Sequence, residues 1–392
     1  MICFSMKERH AYMNREIRVR TISPDDGYHY FFGYYDLNAY HKNGKYHLAN
    51  RVKFMDRLPE KDDVCELGYI DLENGGFTKF AETTAWNFQQ GALLTYNAAD
   101  YDEVFYNVRN ENGYATCIHN LKTGQKRYTD RACACIAPNG KYGLAVSFER
   151  IYDFRPGYGY AGIKDPLYDI PQPENDGVWL VDLKSGKSKL IIPVSQVLKQ
   201  FPIERFKDAK FVVNHITFNI LSDRFLFLLR NFRNEQNTMW STSLITSDLD
   251  GNMYCRLKDT LVSHYNWKNE KQILMYAEID GKRGVYLADD MSDKYIRYDV
   301  PAFDYDIHCV YSPDRRYFIG DDYPRNGVYE RRIHLYDTKS GEYRLLLSEE
   351  TLKPDVIDIR CDLHNRFNCD GTRISYDSTQ SGKREIREIV RF

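Results

Sequence analysis

Four histidines recur at near-regular intervals through the second half of this 392-residue chain. His215 lies in VVNHITFN, His264 in VSHYNW, His308 in DIHCVYSPD and His364 in CDLHNRFNCDG, so the spacings are 49, 44 and 56 residues. Each precedes a polar turn signal by a similar distance. Taken alone, each is most simply a hydrogen-bonded core residue. Four in register point instead to a shared site. Imidazole accepts a proton near neutral pH and ligates Mn, Fe, Ni, Cu or Zn. Asp306 and Asp362 stand two positions before a histidine and would share its strand face, where a carboxylate can orient a ring. Asn214, Asn266 and Asn365 adjoin the series. Arg366, two residues after His364, could present a cation to a bound anion; a surface ion pair is its plainer role.

A second group of candidates lies in residues 150–176, RIYDFRPGYGYAGIKDPLYDIPQPEND, a stretch rich in Gly, Pro and Tyr. It offers Arg150, Arg155, Tyr158 and Tyr160. Arginine pairs bidentately with a carboxylate, and tyrosine can stack on a sugar or move a proton. The bland alternative is a rigid turn with packed aromatics. WNFQQG (residues 86–91) could put Gln89 or Gln90 on an inner strand, and His29 in YHYFFGYYD could do the same further upstream. No G-x-S-x-G elbow and no Walker or Rossmann glycine pattern occurs. Serine hydrolysis and a nucleotide cofactor are therefore not expected.

The elements that must position these residues read as a repeat. Apolar runs lead into DLENGG (71–76), NLKTGQ (120–125), DLKSGK (182–187), DLDGN (248–252) and DTKSGE (337–342), and another run follows each. That is a hairpin with glycine where φ > 0 is needed. A different turn recurs upstream of these: HKNGKYHLANR at 41, APNGKYGLAVS at 137, LSDRFLFLL at 221, SPDRRYFIGDD at 312 and NCDGTRISYDS at 368. A β-sandwich also alternates strands and turns. The fixed order, inner turn then strand then outer hairpin, favours a β-propeller. Seven blades are expected, over 28–82, 85–128, 129–195, 209–258, 260–299, 303–350 and 355–392. The last lacks a strand, and EIRVRTI (16–22) is predicted to complete it from the N-terminus, protecting the open edge. Residues 16–392 thus read as one all-β domain, with a disordered extension over 1–15. Residues 150–176 interrupt blade three, and 194–208 read as a short amphipathic helix before blade four.

Composition agrees with strands: 32 Tyr, 21 Phe and 4 Trp suit pleated, half-buried surfaces. A formal net charge of −2 gives no general attraction to nucleic acid or to an anionic membrane. Nine scattered cysteines with no CxxC pair suit reduced thiols. No apolar run reaches signal-peptide or membrane-spanning length, and starting at Met13 would not alter this. A cytoplasmic protein is expected.

YHYFFGYYD, WNFQQG, FERIYDFRPGYGY, the in-register histidines and DLHNRFNCDGTRISYDS together resemble the seven-bladed polysaccharide lyases, namely oligogalacturonate and ulvan lyases. The FGYYD and RPGYGY pieces lean towards the ulvan side; the SPD and CDG turns are shared with TolB-like propellers. The resemblance implies β-elimination on uronic-acid-containing oligo- or polysaccharides. It implies His215 as base and His264, His308 and His364 as ligands of a divalent metal, Mn²⁺ before Zn²⁺ or Ca²⁺. Arg150 or Arg155 would match the ulvan-lyase arginine, with Tyr158 and Tyr160 beside it and Arg366, Gln89, Gln90 and His29 as substrate contacts. The partner implied is an acidic glycan. WNFQQG and RACACIAPNG carry no early-blade histidine or tyrosine of the ulvan-lyase kind, so a glycan-binding propeller of surface-polysaccharide metabolism and a TolB-like scaffold stand as alternatives.

Overall fold

The computed structural model describes residues 17–233 and 240–392. Its strands make seven four-stranded antiparallel sheets set in a ring, a seven-bladed β-propeller. Blade one runs outward from His29–Phe31 through Tyr46–Val52 and Cys65–Asp71 to Phe77–Thr83. The inner strands of blades two to six are Thr95–Asn97, Cys133–Ile136, Phe211–Phe218, Val262–Trp267 and Ile307–Tyr311. Blade seven holds Arg366–Phe367, Ile374–Ser378 and Glu385–Arg391, and Arg18–Thr21 adds its outermost strand. The N-terminal closure expected from EIRVRTI is therefore present, with Val19 opposite Ile389 and Thr21 opposite Arg387. The expected extension over 1–15 lies outside the described residues.

Local chemistry explains the repeat. In the outer hairpins one carboxylate or amide caps the turn: Asp71 Oδ1 accepts from the N–H groups of Glu73 and Asn74, and Asp337 Oδ1 from those of Lys339 and Ser340. The closing glycine takes positive φ. At Gly186 (φ +71°) a Cβ would also meet the Tyr128 carbonyl oxygen at 2.6 Å, so no other residue fits without movement. The inner turns close alike, through Ala137 N–H to Tyr142 O, Ser312 N–H to Tyr317 O and Asn368 N–H to Arg373 O. These turns and the outer hairpins share one end of the ring. Links between second and third strands, and links between blades, therefore lie at the other end, here called the upper face.

One expected strand is absent. WNFQQG does not supply the inner strand of blade two, which starts at Thr95. Asn87 Oδ1 accepts from the N–H groups of Gln89 and Gln90, and Asn87 bridges Gly91, so the segment curls into a turn. The two insertions do take ordered form. Phe148–Phe154 is a helix capped by Ser147 Oγ accepting from Arg150 N–H at 3.1 Å. Val194–Gln200 is the short amphipathic helix expected there, burying Val194, Val197 and Leu198. Among the described residues no helix is long and apolar enough to cross a membrane.

Apolar layers between blades hold the ring. Leu226, Leu228 and Leu244 of blade four meet Tyr265, Ile273 and Met275 of blade five. Ile319 and Ile333 of blade six meet Ile374 and Ile389 of blade seven. Ile389 also faces Val19 across the closing pair. Ile389→Ala should therefore cost about 2–5 kcal/mol, the usual range for a buried Ile→Ala change. Denaturant unfolding followed by circular dichroism measures it, and a loss below about 1 kcal/mol would mean the seam contributes little.

Candidate active site

The inner strands bring the four histidines to the ring centre. Ring centroids are 4.0 Å apart for His264 and His308, 4.4 Å for His308 and His364, and 6.4 Å for His215 and His264. Regular pleating does not achieve this alone. His215 is skipped in the pairing of its strand between Asn214 and Ile216, and its φ is +49°. Pairing likewise jumps between Val262 and Tyr265, which frees His264, and His364 takes φ +43° just before its strand. Such bulges turn a side chain off the sheet and towards the channel.

Two of the rings are held by carboxylates. His264 Nδ1 lies 2.9 Å from Asp306 Oδ1, and His308 Nδ1 lies 3.1 Å from Asp321 Oδ2. With Nδ1–H donating, each Nε2 keeps its lone pair; the Tyr323 hydroxyl lies 3.0 Å from that of His308. Asp306 thus orients the histidine of the neighbouring blade rather than His308 on its own strand. Asp362 does not mainly serve His364, which is 4.0 Å away. It pairs with Arg331 at 2.6 Å and Arg360 at 2.7 Å. Burial opposes ionisation of Asp362, yet Arg360 and Arg331 outweigh it and hold the carboxyl well below its usual range.

His215 has a different setting. Its Nδ1 lies 2.9 Å from the Tyr34 hydroxyl, its ring stacks on Tyr34, and Tyr158 meets it edge-on at 5.2 Å. Burial pushes its pKa well below 6.5, and Arg230, His264 and Arg155 add to the effect. The ring is therefore neutral at neutral pH. Burial and the neighbouring His308 do the same to His364.

The other expected residues divide. Arg155 and Tyr158 reach the site: Arg155 pairs with Asp358 at 2.9 Å and lies over the Tyr158 ring, while the Tyr158 hydroxyl accepts from Arg360 at 2.9 Å. Arg155, Arg331, Arg360 and Tyr323 line a 370 Å³ cleft on the upper face. Arg150 is elsewhere. All five of its N–H donors are used, by Phe211, Leu167, Ile170 and Pro171 carbonyls and by Asp165. It fastens the insertion to blade four and has no donor left for a substrate. Tyr160 stacks on Phe148 and accepts from Asn107, packed under the insertion. Arg366 is buried rather than surface-paired, bonded to Asp377, Ser375 and Gly33. Gln89 spends its amide on the Asp358 and Arg360 carbonyls, so it shapes the Arg360 loop from behind. Gln90 borders a small cavity with His215. His29 sits at the start of the inner strand of blade one beside Arg384, away from the imidazoles.

Reading by blade register missed Tyr34, Tyr35, Arg230, Tyr323, Arg331 and Arg360. Tyr34 and Tyr35 lie just after the inner strand of blade one and pack on the histidine cluster from there. Arg230 is buried near His215, bonded to the Thr242 hydroxyl and the Val262 carbonyl, and no carboxylate pairs with it among the described residues. The centre is short of partners. His364 Nε2, Asp321 Oδ1, Asn214 Oδ1 and both side-chain polar atoms of Asn365 are buried without a hydrogen bond. Buried polar atoms are ordinarily satisfied, so several together suit a polar ligand. Ligand atoms of His308, Asp362 and His364 lie within 4.8 Å of one another, a spacing that fits a cation.

No protein-family model matches the chain, and no curated protein matches it. Solved structures do. An oligogalacturonate lyase in complex with manganese superposes with a TM-score of 0.68 at 15% identity, over 95% of this chain and 93% of that one. The oligogalacturonate lyase from Vibrio parahaemolyticus gives 0.66 at 14%, over 96% and 94%. Tricorn protease gives 0.56 at 11%, over 94% of this chain but 34% of its own. At these identities the likeness is one of fold.

Arg150→Met tests the separation between scaffold and site. It removes the closer cation from the buried Asp165 carboxylate and leaves Lys210 at 3.8 Å, so stability should drop by about 3–5 kcal/mol. Proteolysis should turn to the insertion between 155 and 176. Unchanged stability and protease resistance would remove Arg150 from its anchoring role.

Proposed function

We propose that this protein cleaves uronic-acid-containing oligo- or polysaccharides by β-elimination, assisted by a divalent metal. The observation that carries this reading is the meeting of a neutral, buried His215 with Arg230, a cation without a carboxylate partner among the described residues, beside three further imidazoles. The fold likeness to oligogalacturonate lyases supports it.

The difficult step is removal of a proton from carbon. The C5–H of a uronate is a very weak acid unless the adjacent carboxylate is neutralised and a base is poised. Arg230 and Arg155 supply positive charge beside His215. With the Tyr34 oxygen taking the Nδ1 side at 2.9 Å, Nε2 of His215 is left to receive the proton. Tyr158, whose ring borders His215, is placed to contact the sugar at the leaving oxygen. The upper cleft, with Arg331, Arg360, Tyr323 and Tyr329, is where the rest of an acidic chain would lie. His264, His308 and His364 would hold the metal, His264 through its closeness to His308, with Asp362 beside His308 and His364 and paired with Arg331 and Arg360. Mn²⁺ is the first choice, Zn²⁺ and Ca²⁺ the alternatives; a bound ion would supply a Lewis acid for the substrate carboxylate.

Uronate oligosaccharides incubated with and without Mn²⁺ should give the ultraviolet absorbance of a C4=C5 unsaturated sugar. A broad uronate panel without that signal would leave a glycan-binding propeller as the better reading. His215→Ala should lower kcat by about 10²–10⁴-fold, the range for loss of a general base, while glycan binding persists. Elemental analysis of His264→Ala after Mn²⁺ loading should find the metal lost; content equal to wild type would sink the proposed ligand set.

A further inference from the structure

His215 and Asp36 share a wall. Both line a small cavity of about 20 Å³, with Tyr34, Gln90, Asn214, Tyr158 and Tyr265 around it. That space holds about one water. Asp36 also lines a 430 Å³ channel among the inner turns, beside Asn38, Asn219, Asn266 and Asn368. Of the described residues it is the titratable group common to both. Among the described residues its carboxyl is met by the N–H of its own backbone and by no side-chain donor or cation. The ionisable groups that act on it are Tyr34, Tyr35, Tyr265 and Cys135, none of them cationic, while Arg315 and Arg366 also line the channel. So an unpaired carboxyl stands between the small cavity beside His215 and the lower opening of the ring.

We propose that Asp36 is a relay residue that carries protons between His215 and solvent through the lower channel, away from the substrate face. The proposal rests on the lyase reading above. In the elimination the C5–H bond breaks and its electron pair forms C4=C5. The C4–O bond breaks with its pair on oxygen, which takes a proton from water in the cleft. The C5 proton stays on His215 Nε2. The imidazolium then passes its Nδ1 proton to the Tyr34 oxygen, 2.9 Å away, as the Tyr34 proton moves through a water to Asp36. Asp36 gives it to the channel. Once product has left, Nε2 gives its proton to the hydroxide left in the cleft while Asp36 and Tyr34 return a proton from the channel to Nδ1, which restores the base. Burial pushes the Asp36 carboxyl up to about 7, where it both gains and loses protons readily near neutral pH.

Three variants test the relay. Asp36→Asn should reduce kcat at least about tenfold with KM little changed, because the residue lies behind the base rather than on the substrate. Asp36→Ala should be equally slow and should regain rate with added formate, which enters through the channel. A merely structural role predicts no formate rescue, and that result, or an unchanged kcat in Asp36→Asn, overturns the relay. An infrared arm needs no turnover. The carboxyl band that Asp36→Asn removes should shift in His215→Gln; an unmoved band overturns the connection. Wild-type protein inactive on every uronate sinks the lyase reading separately, and the infrared arm then still decides whether the two groups are coupled.

Discussion

Everything at the centre depends on the ring closing. Seven inner strands point at one axis only if the seventh blade is complete and locked to the first. Here Arg18–Thr21 supplies the missing strand, and the seam carries more than backbone pairing. Glu388, fully buried, accepts from Arg20 on the closing strand and from Tyr40 of blade one. Asp377 on blade seven accepts from the N–H groups of Phe32 and Gly33, a few residues from Tyr34 and Tyr35. The residues that fasten blade one to blade seven thus also set the tyrosines that hold His215. Closure and site geometry are one constraint.

Within that frame, chemistry is made by departures from regular strand. Inner strands of blades three, four and five all shift register at one point, near Ala134, His215 and His264. The bulge recurs on these neighbouring blades, and different residues use it. Blade three presents Cys135 to the channel; blades four and five present imidazoles. A positive φ at a β-branched or bulky residue is costly, and at His215 and His364 the surrounding packing holds it. Such positions are where sequence periodicity gives least warning.

The sequence made the architecture legible because its turn chemistry repeats. Asp or Asn at the hairpin start and Gly at its end recur with the same hydrogen bonds, at Asp71, Asn120, Asp182 and Asp337. The histidine register was legible for the same reason: one place per blade. What was not legible came from pairs formed across blades. Asp306 serves His264 rather than His308, and the carboxylate at His308 is Asp321 of the next strand, a pairing that spacing along one strand does not reveal. Arg150 and Arg155 stand five apart in one motif, yet one is locked by carbonyls and the other faces the cleft. Only the loop's folded path separates them. Gln89 was misplaced because Asn87 competes for the backbone and turns a would-be strand.

The charge arrangement explains how such a centre can be both buried and ready for an anion. Asp358 takes Arg155, and Asp362 takes Arg331 and Arg360. Asp306 and Asp321 each hold an imidazole by its Nδ1. These pairs lower the cost of desolvating the arginines but leave their outer faces open to the cleft. Arg230 is different: no described carboxylate offsets it, and burial pushes its pKa down. An incoming uronate carboxylate would relieve that penalty. In the proposed elimination the same contact would remove charge from the carbon acid beside His215, so the group that is least comfortable in the resting protein is the one that the reaction would use.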